Sequence, residues 1–272
     1  MRAVPTLLVA FTLLLTGCTA VEEETGASIS VGAGQETVTG ELNGRGYRVS
    51  TPDGFHRGRA WPVVFAFHGW RESAERMEQI SGLNAARAIV VYPDGVDRAW
   101  APAPYAKTSG DEDLAFVRDL IERIDADYPV DRTRLFATGF SNGGGFAAYL
   151  GCRMPETFRA VAPVGAAYYE KIHADCSAEP VARLDIHGTN DRTINYYGGT
   201  RHGNRYESVP VVLDRVADTN GCSGSILTRR DQDVIVQHWQ GCELPLVHVR
   251  VGGGAHVWPE EATAEVRAFF GV

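Results

Sequence analysis

Residues 135–144 read Leu135-Phe136-Ala137-Thr138-Gly139-Phe140-Ser141-Asn142-Gly143-Gly144, an apolar run that stops at a serine framed by glycines. Residues 135–139 predict a buried strand, and the Ala, Phe and Leu content of residues 142–150 predicts a helix in spite of its glycines. Gly139-x-Ser141-x-Gly143 therefore falls at a strand-to-helix turn, where a nucleophile elbow has to sit. So sharp a turn leaves no room for side chains beside the serine. It lifts the hydroxyl above the sheet edge and aims the helix amino terminus at the same point. A Gly-rich turn that only packs a helix closely on a sheet has the same pattern, so the reading depends on what else the chain supplies.

Similar runs recur on either side. Val63-Val64-Phe65-Ala66-Phe67 stops at His68-Gly69-Trp70, and Ile89-Val90-Val91-Tyr92 ends at Pro93-Asp94-Gly95. Continuous apolarity of this kind suits strands covered on both faces. Further strands are expected at 160–164, 181–186 and 246–251. Residues 36–42 and 45–50 flank Asn43-Gly44, a tight-hairpin dipeptide, and predict an antiparallel opening pair. Leu114, Val117, Leu120, Ile121 and Ile124 share one helical face over 114–128, with Ser109 and Glu112 spaced as a capping box ahead of them. Helices are also expected around 211–219 and 262–270. Strands alternating with helices imply an α/β fold, a mostly parallel sheet with helices on both faces. No repeat, linker or composition shift divides residues 36–272, which read as one domain.

Composition narrows the function class. The 272 residues carry 26 Lys plus Arg against 34 Asp plus Glu, a net charge of −8. Such a chain folds, and it lacks the dense basic face that phosphate neutralisation needs, so no nucleic-acid partner is expected. The amino terminus reads as a secretory signal: Met-Arg, then an apolar stretch over 7–15 that is shorter than the roughly 20 residues of a membrane-spanning helix. It ends Leu15-Thr16-Gly17-Cys18, which resembles the bacterial lipobox, in which the cysteine is acylated and becomes the first residue after cleavage. Residues 1–17 are then a lipoprotein signal peptide, Cys18 a membrane anchor and 18–35, acidic and patternless, a flexible tether. The alternative is a plain secretory signal with an incidental cysteine. Both place the protein outside the cytoplasm. Four cysteines remain, an even count that favours disulfides outside the cytosol. Of the three pairings, Cys152 with Cys176 and Cys222 with Cys242 each close a short local loop. The spacings Cys-x-x-Cys and His-Glu-x-x-His do not occur, so neither a metal nor another cofactor is expected.

A serine hydroxyl is a poor nucleophile unless a base takes its proton, and the base needs a carboxylate to fix its tautomer and steady its charge. His256 follows the last expected strand in Val251-Gly252-Gly253-Gly254-Ala255-His256, and Asp191 follows another in Ile186-His187-Gly188-Thr189-Asn190-Asp191. The order Ser141, Asp191, His256 is the one an elbow serine requires. Asp185 is the weaker competitor, being inside a strand, and His187 reads as support for the acid loop. The oxyanion of the tetrahedral intermediate needs main-chain donors. Asn142, next to the nucleophile, supplies one, and Trp70, after the strand that ends at His68-Gly69, supplies the other.

Seven ordered segments then carry a resemblance: Phe67-His68-Gly69, Tyr92-Pro93-Asp94-Gly95, Asp111-Glu112-Asp113-Leu114-Ala115-Phe116, Thr138 to Gly144 around the elbow, Phe158-Arg159-Ala160-Val161-Ala162-Pro163-Val164, His187-Gly188-Thr189-Asn190-Asp191 and His256-Val257-Trp258-Pro259. Over about residues 41–270 the chain resembles the secreted poly(3-hydroxybutyrate) depolymerase and feruloyl esterase family of α/β-hydrolases, its lipoprotein members included. The resemblance implies an eight-stranded sheet and transfers nucleophile, acid and base to Ser141, Asp191 and His256. Two positions depart from the family pattern. Ala255 stands where a glycine usually precedes the histidine, and His68-Gly69-Trp70 puts a large ring beside the oxyanion hole, which leaves the acyl pocket open.

The expectation is an exported serine carboxylesterase acting on a hydroxycinnamoyl polysaccharide or a 3-hydroxyalkanoate ester. Trp70, Trp100 and Tyr196 are candidates for stacking on an aromatic acyl group, and core packing explains such rings equally well. An acyltransferase to cell-envelope sugars and a catalytically silent polysaccharide-binding lipoprotein are the alternatives. No obligate protein partner is inferred.

Overall fold

The computed structural model describes Met1 and residues 37–272. The signal peptide, Cys18 and the tether lie outside the described residues.

Four strands are buried at every position: β3 (Trp61–Phe67), β4 (Ile89–Pro93), β6 (Ala160–Val164) and β7 (Ala182–Gly188). Side chains of a strand alternate between faces, so full burial means that both faces are covered. These four form the parallel centre of a sheet together with β5 (Val130–Phe140) and β12 (Leu246–Val251). The opening pair β1 (Thr37–Leu42) and β2 (Arg45–Ser50) is antiparallel around Asn43-Gly44 and adds to β4 at one edge.

The sheet has ten strands, not eight, in the order β1-β2-β4-β3-β5-β6-β7-β12-β11-β10. The two unexpected ones are β10 (Gly224–Arg229) and β11 (Val234–Gln240), an antiparallel extension at the far edge. Every residue of β10 is exposed, so no apolar run announces it. A separate two-stranded hairpin, β8 (Gly199–Arg201) and β9 (Asn204–Tyr206), lies outside the sheet.

Helices cover both faces. On one side α2 (Gly110–Asp127), α3 (Asn142–Arg153) and α4 (Val209–Thr219) enclose Phe65, Phe67, Trp100, Leu120 and Phe146. On the other, α1 (Ala74–Ser81) and α5 (Ala262–Phe270) enclose Val64, Met77, Phe136 and Phe270. The capping box of α2 forms as its spacing predicts, with Ser109 Oγ on the Glu112 amide and the Glu112 carboxylate on the Ser109 amide. Helix α1 was not legible, because its eight residues bury only Ala74, Met77 and Ser81. Disulfides join Cys152 to Cys176 and Cys222 to Cys242.

Candidate active site

The elbow forms where β5 meets α3. Ser141 has φ 55° and ψ −113°, a conformation that costs a non-glycine residue on the order of 1–3 kcal/mol. The surroundings over-determine it. The Ser141 amide donates to the Val164 carbonyl at 2.9 Å, and its carbonyl accepts from Gly145 at 2.9 Å and Ala167 at 3.1 Å. A Cβ on Gly143 would overlap the carbonyls of Phe67 and His68, and one on Gly139 would overlap the Gly143 carbonyl. The glycines are therefore there to let α3 close onto the ends of β3 and β5.

Around Ser141 the structure brings together residues from three separate loops. Ser141 Oγ lies 2.9 Å from His256 Nε2, and His256 Nδ1 lies 2.6 Å from Asp191 Oδ2. With the carboxylate as acceptor, Nδ1 carries the proton and donates it, which leaves Nε2 to accept from the serine hydroxyl. The Asp191 loop follows β7, and the carboxylate is anchored independently by the Thr193 and Ile194 amides on Oδ1, both at 2.8 Å. Burial works to raise the Asp191 pKa. Hydrogen bonds from His187 and His256, the charge of His256 and the Ile194 amide outweigh it and hold the carboxyl below the usual carboxylate range. The His256 loop follows β12 and is laced to the acid loop by Asn190 N to Gly254 O at 3.0 Å and Gly253 N to Thr189 Oγ1 at 2.9 Å. Ala255, the departure from the family glycine, is exposed, and its φ is not in the left-handed region. The methyl group therefore adds neither strain nor a clash.

His187 packs behind the acid. It is buried, its Nε2 donates to the Ile194 carbonyl at 3.0 Å, and it stands 3.4 Å from Asp191 Oδ2. Asp185 belongs to a different place: it is fully buried in a network with Arg183, Tyr168 and His248 and has no contact with His256.

The loop after β3 carries the second expected oxyanion donor. Its anchor is His68, fully buried, whose Nε2 accepts from the Gly95 amide at 3.0 Å while Nδ1 donates to the Gly69 carbonyl at 2.7 Å. Burial pushes the His68 pKa down, which keeps this single neutral tautomer in place. The Gly69 amide is occupied by the Glu72 carboxylate at 3.0 Å, whereas the Trp70 amide makes no hydrogen bond among the described residues. The Asn142 amide lies in the first turn of α3, where N–H groups have no intrahelical partner.

Ser141, His256, Trp70, Phe140, Tyr105, Tyr169, Arg201 and His202 line one cleft of about 160 Å3. Of the three aromatic candidates only Trp70 belongs to it. Trp100 is fully buried and stacks on Phe146 at 5.0 Å and 11°, and Tyr196 is buried with its hydroxyl 3.0 Å from His248 Nε2. Both are core residues, since their loops fold inward under the helices. Tyr105, Tyr169 and the hairpin residues Arg201 and His202 were missed, because none sits in a motif and only the folded loops bring them to the serine, and Phe140 was missed because it holds a variable position of the elbow motif.

The parallel sheet with its strand-to-helix elbow defines an α/β-hydrolase. The chain belongs to the esterase PHB depolymerase family, whose model matches residues 46–218. Among relatives, feruloyl esterase C of Emericella nidulans is 31% identical over 228 residues, covering 79% of this chain and 77% of its own. A probable feruloyl esterase C of Aspergillus terreus is 29% identical over 226 residues, covering 78% and 77%. Among solved structures, acetyl xylan esterase from Aspergillus awamori superposes with a TM-score of 0.64 at 15% identity, covering 88% of this chain and 99% of its own. The feruloyl esterase module from Clostridium thermocellum gives 0.59 at 12% identity, covering 87% of each. The protein is a carboxylesterase of this family.

Proposed function

We propose that the protein hydrolyses carboxylic esters through an acyl-enzyme on Ser141, with His256 as base and Asp191 as the acid that orients it. The observation that carries this is the unbroken relay from Ser141 Oγ to His256 Nε2 at 2.9 Å and from His256 Nδ1 to Asp191 Oδ2 at 2.6 Å. Ser141 Oγ attacks the ester carbonyl carbon as His256 Nε2 takes its proton. The negative oxygen that results is met by the amides of Asn142 and Trp70, each worth about 3 kcal/mol in such a hole. Collapse expels the alcohol, which leaves with the proton from His256. Water then attacks the acyl carbon, again giving a proton to His256, and the acid departs as Ser141 recovers its hydrogen. Asp191, held ionised by its three donors, the Thr193 and Ile194 amides and His256 Nδ1, stabilises the imidazolium in both halves.

The acyl group is a hydroxycinnamate, the class named by the feruloyl esterase relatives, or a 3-hydroxyalkanoate, the class named by the family. Rates on p-nitrophenyl acetate and butyrate, methyl ferulate and 3-hydroxybutyrate oligomers, each against Ser141→Ala, test the reading. Full activity in Ser141→Ala on any of them overturns the mechanism.

Cys18 is proposed as the lipid anchor of an exported protein, with 18–35 as its tether. Leu15-Thr16-Gly17-Cys18 supports this, as do the two disulfides, which suit an oxidising compartment. Cys18→Ser should abolish incorporation of a fatty-acid probe; undiminished labelling refutes the anchor.

A further inference from the structure

The β8–β9 hairpin is a two-stranded ribbon, too small to hold its shape alone. Its turn is His202-Gly203, both residues with positive φ, which is the geometry that a two-residue hairpin loop requires. The base is fixed by Tyr206, which is buried and accepts from the Asn195 amide at 3.0 Å. The tip is fixed by the ring of His202, 4.6 Å from the Trp70 ring and 4.8 Å from the Tyr105 ring. Pinning His202 against the cleft wall brings the preceding residue, Arg201, into the lining of the Ser141 cleft.

Arg201 is half-buried there and forms no ion pair among the described residues. Its neighbours are two phenols, Tyr105 and Tyr169, whose rings meet edge to face at 6.0 Å and whose hydroxyls lie within reach of each other. Tyr169 is 2% exposed, and neither hydroxyl donates to a carbonyl or carboxylate among the described residues. Burial pushes both phenols up, Tyr169 to about 12, so they stay protonated and available as donors. The carboxylate lining the cleft, Glu72, is taken by the Gly69 amide and is not within ion-pair distance of Arg201. A guanidinium with no ion-pair partner and a pair of phenols, of which one hydroxyl can donate to the other and leave the second free to donate, line the cleft beside Ser141.

We propose that Arg201, Tyr105 and Tyr169 form a carboxylate-recognition subsite, and that the ester this enzyme hydrolyses carries a free carboxylate. The inference rests on the esterase reading of Ser141. The acid is borne on the acyl chain or on the leaving alcohol, and the chemistry of recognition is the same for both.

Two pairs of substrates separate these sources. Mono-p-nitrophenyl glutarate and its methyl ester carry the acid, or mask it, on the acyl side. The butyryl ester of 3-hydroxybutyrate and the methyl ester of that compound do so on the alcohol side, with butyrate release as the readout. For each pair the ratio of kcat/KM for the charged to the neutral ester is measured in wild type, Arg201→Gln, Arg201→Lys and Tyr169→Phe. Because hydrogen bonds to charged groups are the strong ones, Arg201→Gln should lower the ratio about tenfold or more in at least one pair. Arg201→Lys should restore part of it, and Tyr169→Phe should lower it less. The pair that responds identifies the side bearing the acid. A ratio unchanged within about twofold in both pairs overturns the subsite, including the case where loss of Arg201 loosens the hairpin and depresses all four substrates equally. Hydrolysis that survives Ser141→Ala in both pairs overturns the esterase reading instead.

Discussion

The side chain of Asn142 closes a ring of two hydrogen bonds on the main chain of Trp100: Oδ1 accepts from the Trp100 amide at 2.8 Å and Nδ2 donates to the Trp100 carbonyl at 2.9 Å. Both residues are buried, so the residue directly after Ser141 staples the elbow to the loop after β4. Asn142→Ala leaves the buried Trp100 amide unpaired and its carbonyl with only the longer bond from the Ala103 amide at 3.4 Å. A loss of about 1–3 kcal/mol is expected for that orphaned amide, read from the urea midpoint at constant slope. A loss under about 1 kcal/mol would mean that the loop finds other partners.

Asp191→Asn keeps the shape of the acid but offers His256 Nδ1 an amide, which can stabilise the wrong tautomer. A fall of kcat by about 10³–10⁴ is expected with little change in KM. Steady-state kinetics on p-nitrophenyl butyrate decide it. If Asp185→Asn had the larger effect at unchanged stability, the acid would have been misassigned.

Trp70→Ala removes a ring from the cleft but keeps the main-chain donor. Its ring stacks at 4.7 Å on Tyr105 and lies under the Arg71 guanidinium at 4.3 Å, so it forms wall and not core. The loss should therefore appear mainly in KM. A drop in kcat of about a hundredfold or more, the scale of losing an oxyanion donor, would show that the ring instead holds the loop in register.

His173 supplies a pH dependence of stability. It is buried 3.4 Å from Glu207, and burial lowers its pKa from 6.5 to about 4, with Arg183 and Arg215 adding to the effect and Glu207 opposing it. The unfolded chain takes up a proton first as pH falls, so stability drops from about pH 6.5 to about pH 4 and levels off below. At 1.36 kcal/mol per unit the loss is about 3 kcal/mol. Glu207, held down to about 2 chiefly by Arg215 and then by His173, adds its own loss below about pH 4.5. His173→Gln should flatten the profile between about pH 6.5 and pH 4. An equally steep decline in the variant would assign it to other groups.

The disulfide between Cys152 and Cys176 spans 24 residues and ties the end of α3 to the loop ahead of β7. Replacing both cysteines by Ser should lower stability by about 3 kcal/mol, according to the loop-entropy account. Thermal melts of oxidised wild type and the double variant test this; equal melting temperatures would show that the unfolded chain is already constrained there.

The elbow and the candidate acid and base positions were legible because each follows an expected strand, although only the strand before the elbow ends in an unbroken apolar run. Burial on both faces dictates the composition of that run, and chain order supplied the other two positions. Strand β10 was illegible because it has no buried residue to leave a pattern, and β11, which buries only Val234 and Val236, is the other strand that makes eight into ten. Trp70 and Trp100 look alike in sequence, each following a strand by a few residues. One lines the cleft and the other fills the core, because Asn142 pulls the Trp100 main chain inward while His68 holds the Trp70 loop at the surface of the site.

The chain order and the residue types of the candidate relay were set by the sequence alone, for the chemistry of a serine nucleophile demands those types and the strand ends supply the places. Only the tertiary structure decided that Ser141 and His256, 115 residues apart, stand at hydrogen-bond distance, and that Arg201 joins two phenols in the same cleft. Distances between loops follow from how sheet twist and helix packing aim the strand ends. Those are sums over the whole core, and no short stretch of residues carries them.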